Sequence, residues 1–101
     1  LSGGMKKRIG LARALILKPK VILYDEPTTG LDSVTSGEIS ELIVQVQEEY
    51  DAASIIITHD MKCAQIATNR IKILDDGVFI AEGTYKELSA SSDKKIKAFF
   101  I

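Results

Sequence analysis

The chain of 101 residues has little of what disulfide-rich, nucleic-acid-binding and membrane-spanning proteins are built from. Its single cysteine, Cys63, cannot form an internal disulfide, and no cluster of cysteine and histidine points to zinc. Thirteen basic and fourteen acidic side chains leave a formal charge of −1, so there is no basic excess to bind nucleic acid. The apolar runs are too short to cross a bilayer, and no signal peptide is expected. The composition therefore favours a cytoplasmic protein.

What the chain does have is the composition of a folded domain. Hydrophobic residues make up 46% and charged residues 27% of the sequence, which is typical of globular proteins. One compact domain is the upper limit at this length. The chain opens at Leu1 and not at a methionine, so we expect residues of the same folded unit to precede it.

The first half of the chain alternates between helical and strand patterns. Apolar residues three and four apart predict a helix over Met5–Ile16, with Met5, Ile9, Ala12 and Ile16 along one face. The run Val21–Tyr24 is typical of a buried parallel strand, and so is Ser54–Thr58. A long helix lies between them, with Thr35 and Glu38 as a candidate capping box, although it could begin nearer Ser33.

The second half predicts a short helix after Asp60, a hairpin and terminal helices. Ile71–Leu74 and Val78–Ala81 flank a turn at Asp75-Asp76-Gly77. A capping box at Thr84 and Glu87 would start one helix, and Ser91 or Ser92 would cap the last one. These patterns predict an α/β fold in which the two buried strands run parallel through a right-handed crossover.

The strongest local signal is the pair Asp25-Glu26 after the first apolar strand. Ligands of parallel sheets bind at the carboxyl ends of the strands, where this pair is expected. Asp25 could bind Mg²⁺, usually through water, and Glu26 could orient or deprotonate a water that attacks a γ-phosphate. Two solvated acids that end a strand would give the same pattern.

Three further features have a functional and a structural interpretation. Ser2-Gly3-Gly4 precedes a helix whose free N–H groups could bind phosphate, or it is a plain helix cap. His59 follows the second strand and could contact a γ-phosphate, or it is a surface residue. Asp32 either caps a turn or helix, or makes a contact across an interface.

Together, these motifs resemble the carboxyl-terminal part of the nucleotide-binding domain of ABC-type ATPases. Leu1-Ser2-Gly3-Gly4 resembles the family signature motif, and Val21–Glu26 resembles Walker B with its catalytic glutamate. Gly30-Leu31-Asp32 resembles the D-loop, and His59 resembles the switch histidine. The resemblance covers nearly the whole chain.

The resemblance implies that two such domains sandwich two ATP molecules head to tail. Asp25 would serve Mg²⁺, while Glu26 and His59 would be catalytic. Ser2, Gly3 and Gly4 would contact the ATP held by the other copy, and Asp32 would couple the two sites. Transmembrane permease subunits would be further partners, which implies a peripheral location on the cytoplasmic face of the inner membrane. No nucleic acid is expected.

The family's P-loop is missing. The sequence contains no Gly-x-x-x-x-Gly-Lys-Ser/Thr, and the Q-loop would also lie upstream. We therefore interpret residues 1–101 as a partial domain that hydrolyses little or no ATP alone, while the intact protein is an ATPase. Strands left without their partners would expose apolar surface, so we expect the chain to self-associate.

The subfamily is suggested by Leu1–Ala14, Leu23–Asp32 and Thr58–Met61. These runs resemble the ATPases of MCE-type lipid transporters, which maintain outer-membrane lipid asymmetry or confer solvent tolerance in bacteria. Two residues depart from the common family pattern: Met5 stands where many members have glutamine, and Ser33 stands where proline is usual.

Two alternatives belong to other functional classes. An SMC-like chromosome ATPase lobe also begins near a signature motif, but it would rarely carry Thr58-His59-Asp60, and a coiled-coil heptad run should precede it. A truncated, non-catalytic interaction module would bind a partner through an exposed strand edge, which the non-methionine start disfavours. A P-loop encoded upstream of Leu1 would favour the transporter ATPase.

Overall fold

The computed structural model describes residues 2–101, so Leu1 of the signature-like motif lies outside the described residues. The helices are α1 (Gly3–Ile16), α2 (Ser33–Tyr50), α3 (Met61–Ala67), α4 (Tyr85–Ser89) and α5 (Lys94–Lys97). The strands are β1 (Val21–Asp25), β2 (Ala53–Ile57), β3 (Ile71–Asp75) and β4 (Val78–Gly83). A 3₁₀ turn, Ala98–Phe100, follows α5. The chain divides into two compact units, of which the first ends at Ala67 and the second comprises Thr68–Ile101.

The first unit is built on two parallel strands. β1 pairs with β2 from Val21 opposite Ala53 to Asp25 opposite Ile57, and α2 connects the two strands. Helix α2 turns an apolar face to the core, which contains Ile22, Tyr24, Ile39, Ile43, Val46, Ala52, Cys63 and Ala67. The α/β class and the parallel pairing predicted from the sequence are therefore confirmed.

The strands are buried on only one face of this sheet, which corrects the expectation of full burial but agrees with the apolar surface expected of strands without their partners. Ile22 and Tyr24 are buried, but Leu23 between them is 69% exposed. On β2, Ile55 and Ile57 are 54% and 57% exposed. Because successive side chains of a strand point to opposite faces, α2 covers only one of them. The other face remains apolar and exposed.

Helix α1 is confirmed, but the apolar face that the sequence suggests does not pack against the core. Met5, Ile9 and Ile16 are exposed, and so is Ala12. The helix packs instead through the stripe that contains Gly4, which is buried, and Leu11 and Leu15, which pack partly against the core. The helix has two stripes of apolar residues. The stripe that includes Gly4 faces the core, because the small glycine allows α1 to lie close to α2.

The start of α2 differs from the capping box predicted at Thr35 and Glu38. The helix begins at Ser33, and Asp32 is its N-cap, accepting a hydrogen bond from the backbone N–H of Thr35. Glu38 pairs instead with Arg8 of α1 at 3.1 Å. The alternative start near Ser33 is therefore confirmed.

The second unit is a hairpin followed by short helices. β3 and β4 are antiparallel, and the turn between them places Asp76 and Gly77 at φ +48° and +77°. Two consecutive positive φ values are typical of the tightest hairpin turns. At the start of α4, Thr84 and Glu87 form the predicted capping box through two reciprocal hydrogen bonds. Hairpin and capping box are confirmed.

The cap predicted for the last helix is wrong. Asp93, and not Ser91 or Ser92, is the N-cap of α5, and it accepts hydrogen bonds from the backbone N–H groups of Lys95 and Ile96. Ser91 supports this cap by accepting a hydrogen bond from the Asp93 N–H. Within residues 2–101, no helix is both long enough and apolar enough to cross a membrane.

Candidate functional site

The ends of β1 and β2 bring Glu26 and His59 into contact. Because the two strands are parallel neighbours, the residues that follow them lie at the same edge of the sheet. The His59 Nδ1 lies 3.1 Å from Oε1 and 3.0 Å from Oε2 of Glu26. The sequence predicted both residues at this edge, and the structure makes them direct partners.

Glu26 is held from four directions. Its backbone N–H donates to the carbonyl oxygen of Ile57 at 2.7 Å, which extends the pairing of the two strands by one hydrogen bond. Its own carbonyl oxygen accepts a hydrogen bond from Lys7 Nζ at 3.2 Å. The Thr29 hydroxyl donates to Oε2 at 3.1 Å, and His59 contacts the same carboxylate.

The backbone of Glu26 leaves the strand in an unusual conformation. Its φ is +50°, in the left-handed region that L-residues other than glycine, asparagine and aspartate rarely adopt. The strict alternation of side chains along β1 therefore ends at this residue. The result is that the Glu26 carboxylate meets a histidine from the neighbouring strand end.

The surroundings of Glu26 keep its carboxylate ionised. The hydrogen bond with His59 is the largest influence and lowers the pKa, and the Thr29 hydroxyl lowers the pKa further. An ionised carboxylate that is only partly exposed can accept a hydrogen bond from a water molecule and orient it. The paired imidazole can in turn donate a hydrogen bond to an anion.

Asp25 is the last residue of β1 and is exposed beside this pair. Within residues 2–101, no group of three or more His, Cys, Asp or Glu side chains is arranged to hold a metal ion. Mg²⁺ commonly takes only one or two carboxylates and completes its shell with water and phosphate oxygens. A single exposed carboxylate fits that mode of binding.

Ser2, Gly3 and Gly4 form the start of α1. The Ser2 hydroxyl accepts a hydrogen bond from the Met5 N–H at 3.1 Å, as an N-cap does. A Cβ added to Gly3 would lie 2.8 Å from Leu31 Cδ2, and one added to Gly4 would lie 2.8 Å from Thr35 Cγ2. Gly4 is therefore required for the close approach of α1 to the start of α2, whereas a side chain at Gly3 would displace the tip of Leu31.

Asp32 caps α2, which is one of the two roles predicted for it. Its Oδ1 accepts from the Thr35 N–H at 2.8 Å, and its Oδ2 accepts from the Thr35 hydroxyl at 3.1 Å. These bonds, with that of the backbone N–H the largest influence, lower the pKa of Asp32. Since Gly4 lies against Thr35, the start of α1 and the Asp32 cap are neighbours.

The predicted residues therefore form two groups within the first unit. One group is at the strand ends and contains Asp25, Glu26 and His59. The other group is at the starts of α1 and α2 and contains Ser2, Gly3, Gly4 and Asp32. Sequence reasoning missed Lys7 and Thr29, which contact Glu26 from a helix and a turn, because no motif spacing distinguishes them.

The sequence is similar to a known family and to individual known proteins. The profile of the family described as ABC transporter matches residues 1–29. A probable amino-acid ABC transporter ATP-binding protein from Sinorhizobium fredii is 37% identical over 98% of this chain and 39% of its own length. The L-cystine import ATP-binding protein TcyN of Bacillus subtilis is 38% identical over 93% of this chain and 36% of its own length. The chain thus spans about two fifths of these relatives.

Solved structures show the same fold. CbiO1 of Clostridium perfringens, described as part of the ABC transporter complex cbiONQ, has a TM-score of 0.83 and 37% identity, covering 96% of this chain and 38% of its own. The ATP-binding cassette MJ0796, a dimer in a post-hydrolysis state bound to ADP and Pi, has a TM-score of 0.71 and 39% identity over 84% of this chain and 36% of its own. The fold class predicted from the sequence is therefore confirmed.

Proposed function

This chain is part of an ATP-binding domain of the ABC transporter family, and from that premise we propose that it supplies half of an ATP hydrolysis site that drives transport. The observation that carries the proposal is the cluster at the strand ends, where Glu26 is ionised and contacts His59. Its relatives are named as ATP-binding proteins of amino-acid transport and L-cystine import, and MJ0796 was observed with ADP and Pi.

In this proposal Glu26 orients and deprotonates the attacking water. His59, which contacts this carboxylate, donates a hydrogen bond toward the γ-phosphate. Asp25 would hold Mg²⁺, usually through water, and the ion would neutralise charge on the phosphate oxygens.

The second group of residues serves a second copy of the domain. Ser2, Gly3 and Gly4 present the start of α1, where free N–H groups and the helix dipole favour a phosphate held by the other copy. Asp32 couples the two sites through the neighbouring start of α2. The dimer reported for MJ0796 supports this assembly.

The decisive experiment compares ATP turnover of this chain with that of a protein extended upstream to the length of its relatives. We expect the 101-residue chain to be silent, because it contains no P-loop sequence. The extended protein should be active, and Glu26→Gln should lower its kcat by about 10²–10⁴-fold, the usual contribution of a general base. Glu48→Gln, an exposed glutamate of α2, is the matched control and should leave kcat unchanged. An extended protein that is inactive with its membrane partners present would contradict the proposal.

We also propose that the chain, as a partial domain spanning residues 1–101, associates with copies of itself through the exposed face of β1 and β2. Val21, Leu23, Ile55 and Ile57 are all more than half exposed there. Sedimentation should show oligomers at tens of micromolar, and Leu23→Lys should shift them to monomer. A monomer for the unaltered chain at the same concentration would refute this.

The transported substrate has two candidates. One relative is named as a probable amino-acid transporter protein and the other as an L-cystine import protein, which favours a small polar solute. The alternative is a lipid, and its support is the sequence resemblance of Leu1–Ala14, Leu23–Asp32 and Thr58–Met61 to MCE-type ATPases. In either case we propose permease subunits as partners and a peripheral position on the cytoplasmic face of the inner membrane. Co-purification of the intact protein with its permease, followed by uptake and lipid-transfer assays, separates the two.

A further inference from the structure

A second bridge joins the two loops that carry Glu26 and His59. The Thr28 hydroxyl donates to Oδ2 of Asp60 at 2.7 Å. Thr28 lies two residues after Glu26, and Asp60 directly follows His59. The Glu26–His59 contact and this bond therefore run side by side between the same two loops.

The bridge is anchored at both ends. Thr28 is only 6% exposed, so its hydroxyl has little freedom to turn elsewhere. The other oxygen of Asp60, Oδ1, accepts from the backbone N–H groups of Lys62 and Cys63 at 3.1 and 3.2 Å. Cys63 is 1% exposed and belongs to the core of the first unit. Asp60 is thus fixed to α3 by one oxygen while the other receives Thr28.

The two oxygens of the Asp60 carboxylate have different roles. Capping α3 needs Oδ1 alone, so it does not account for the bond at Oδ2. A bond of 2.7 Å between a hydroxyl and a carboxylate is short and charge-assisted, which makes it stronger than one between neutral groups. It connects residues 32 positions apart and serves no regular secondary structure.

The position of the His59 ring depends on how the two loops are held together. Its side chain is 83% exposed, and in the described part of the chain Glu26 is the one partner recorded for its ring. An exposed side chain with free rotamers does not hold a position on its own. The position of the ring relative to Glu26 must come from the backbones of the two loops.

We propose that Thr28 and Asp60 are positioning residues, a clasp that holds His59 against Glu26. This inference rests on the proposed function for its catalytic meaning, but the geometry it predicts can be measured without catalysis. A displacement of about 1 Å at a reacting group can cost roughly 10²-fold in rate, so a clasp of this kind would act on kcat.

The first test uses the fact that His59 is the only histidine of the chain. Nitrogen-15 spectra of the labelled imidazole report whether Nδ1 is engaged with a carboxylate. Thr28→Val keeps the shape of the side chain and removes the donor, and we expect it to move the Nδ1 resonance most of the way to its position in Glu26→Ala. Thr28→Ser restores the hydroxyl and should restore the resonance. Should the valine variant fail to fold, Thr28→Ala removes the same donor without placing a methyl group against Asp60.

The matched control is Thr84→Val in the second unit. It also removes a buried or half-buried threonine hydroxyl from a hydrogen bond, here the one that accepts from the Glu87 N–H at the start of α4. Its effect on the stability of the fold should therefore be similar. We expect it to leave the His59 resonances in place. Unchanged His59 resonances in a folded Thr28→Val or Thr28→Ala chain would overturn the clasp.

The second test uses the extended protein. Thr28→Val should lower kcat for ATP by roughly 10–100-fold with KM unchanged, and Thr28→Ser should recover most of it. A rise in KM alone would overturn the positioning role. If the unaltered extended protein hydrolyses no ATP while Thr28→Val still moves the His59 resonance, the proposed function fails and the clasp stands. If Glu26-dependent turnover is present and Thr28→Val changes neither readout, the clasp alone fails.

Discussion

The two units of the chain reach their structures by different routes. In the second unit, β3 and β4 are joined by a two-residue turn, and the hairpin is followed by a helix with its own capping box. In the first unit, β1 and β2 pair only after the chain has passed through the eighteen residues of α2. Local signals dominate the second unit, and contacts between distant residues dominate the first.

The difference extends to the candidate site. All seven residues predicted to be functional lie in the first unit, and the Glu26–His59 contact joins residues 33 positions apart. That unit also leaves the apolar side chains of Val21, Leu23, Ile55 and Ile57 exposed. The site consists of residues that are distant in sequence, so its geometry depends on the pairing of β1 with β2. That sheet is covered by other residues on one face only. The following predictions test how far the contrast between the two units goes.

The largest effect is expected from Ile43→Ala in the core of the first unit. Ile43 is 1% exposed, and truncation leaves a cavity, which typically costs about 2–5 kcal/mol. Urea unfolding followed by hydrogen exchange should show faster exchange in β1, β2 and α2 than in the hairpin. Val34→Ala, at a position 71% exposed on the same helix, is the control. Equal acceleration in both units would break the contrast, since the chain would then unfold as one.

Gly4→Ala comes next, at the contact between α1 and α2. The added Cβ would meet the β-branched Thr35 side chain at 2.8 Å, and overpacking of this kind costs about 1–3 kcal/mol. Gly10→Ala is the matched control on the same helix, because nothing lies within 4 Å of its added Cβ. That variant should gain roughly 0.5–1 kcal/mol from better helix propensity. Thermal unfolding of the pair should therefore shift in opposite directions, and two shifts of the same sign would contradict the packing.

Gly77→Ala tests the second unit in the same way. Gly77 has φ +77°, and an L-side chain in the left-handed region costs about 1–2 kcal/mol. The loss should appear as faster amide exchange in β3 and β4 and leave β1 and β2 protected. Gly37→Ala, in α2 with open space around its added Cβ, provides the comparison and should not destabilise the chain. Loss of protection in all four strands would show that the two units unfold together.

The smallest effect is a dependence of the second unit on acid. The N–H of Thr84, the largest influence, lowers the pKa of Glu87 below its ordinary value of 4.5. The capping carboxylate therefore contributes stability above that value, and this contribution is lost as the pH falls through the lowered pKa. Because Glu87 is exposed, only a modest change is expected. Thermal midpoints measured across the acidic range should depend less on pH in Glu87→Gln, and an unchanged dependence would count against the cap.

The sequence was most informative where one short segment carries the whole signal. Asp76-Gly77 specifies a hairpin turn, and Thr84 with Glu87 specifies a capping box, so both could be predicted without knowing anything else in the chain. Thr35 and Glu38 offered the same pattern and were misleading. Asp32 competes for the same N–H group, and Arg8 of another helix draws Glu38 away.

Faces and contacts were harder to predict than elements. The strands around Leu23 and Ile55 were located correctly, but their exposure depends on what covers the second face, which no local pattern encodes. In the same way, Asp25, Glu26 and His59 could be placed at one edge of a sheet, whereas the Thr28–Asp60 bond could not. That bond connects two ordinary turn residues, and only the register of β1 against β2 brings them together.

At Glu26, the left-handed backbone lowers the stability of the fold, whereas the proposed chemistry requires the carboxylate. At φ +50° a glycine would be free of the steric penalty that any side chain with a Cβ incurs. A library of variants at position 26 that is selected for thermal stability should therefore enrich glycine, asparagine and aspartate. The same library selected for ATP turnover should return glutamate. Glutamate at position 26 would then lower the stability of the fold, while it supplies a carboxylate that glycine, asparagine and aspartate do not provide in the same position.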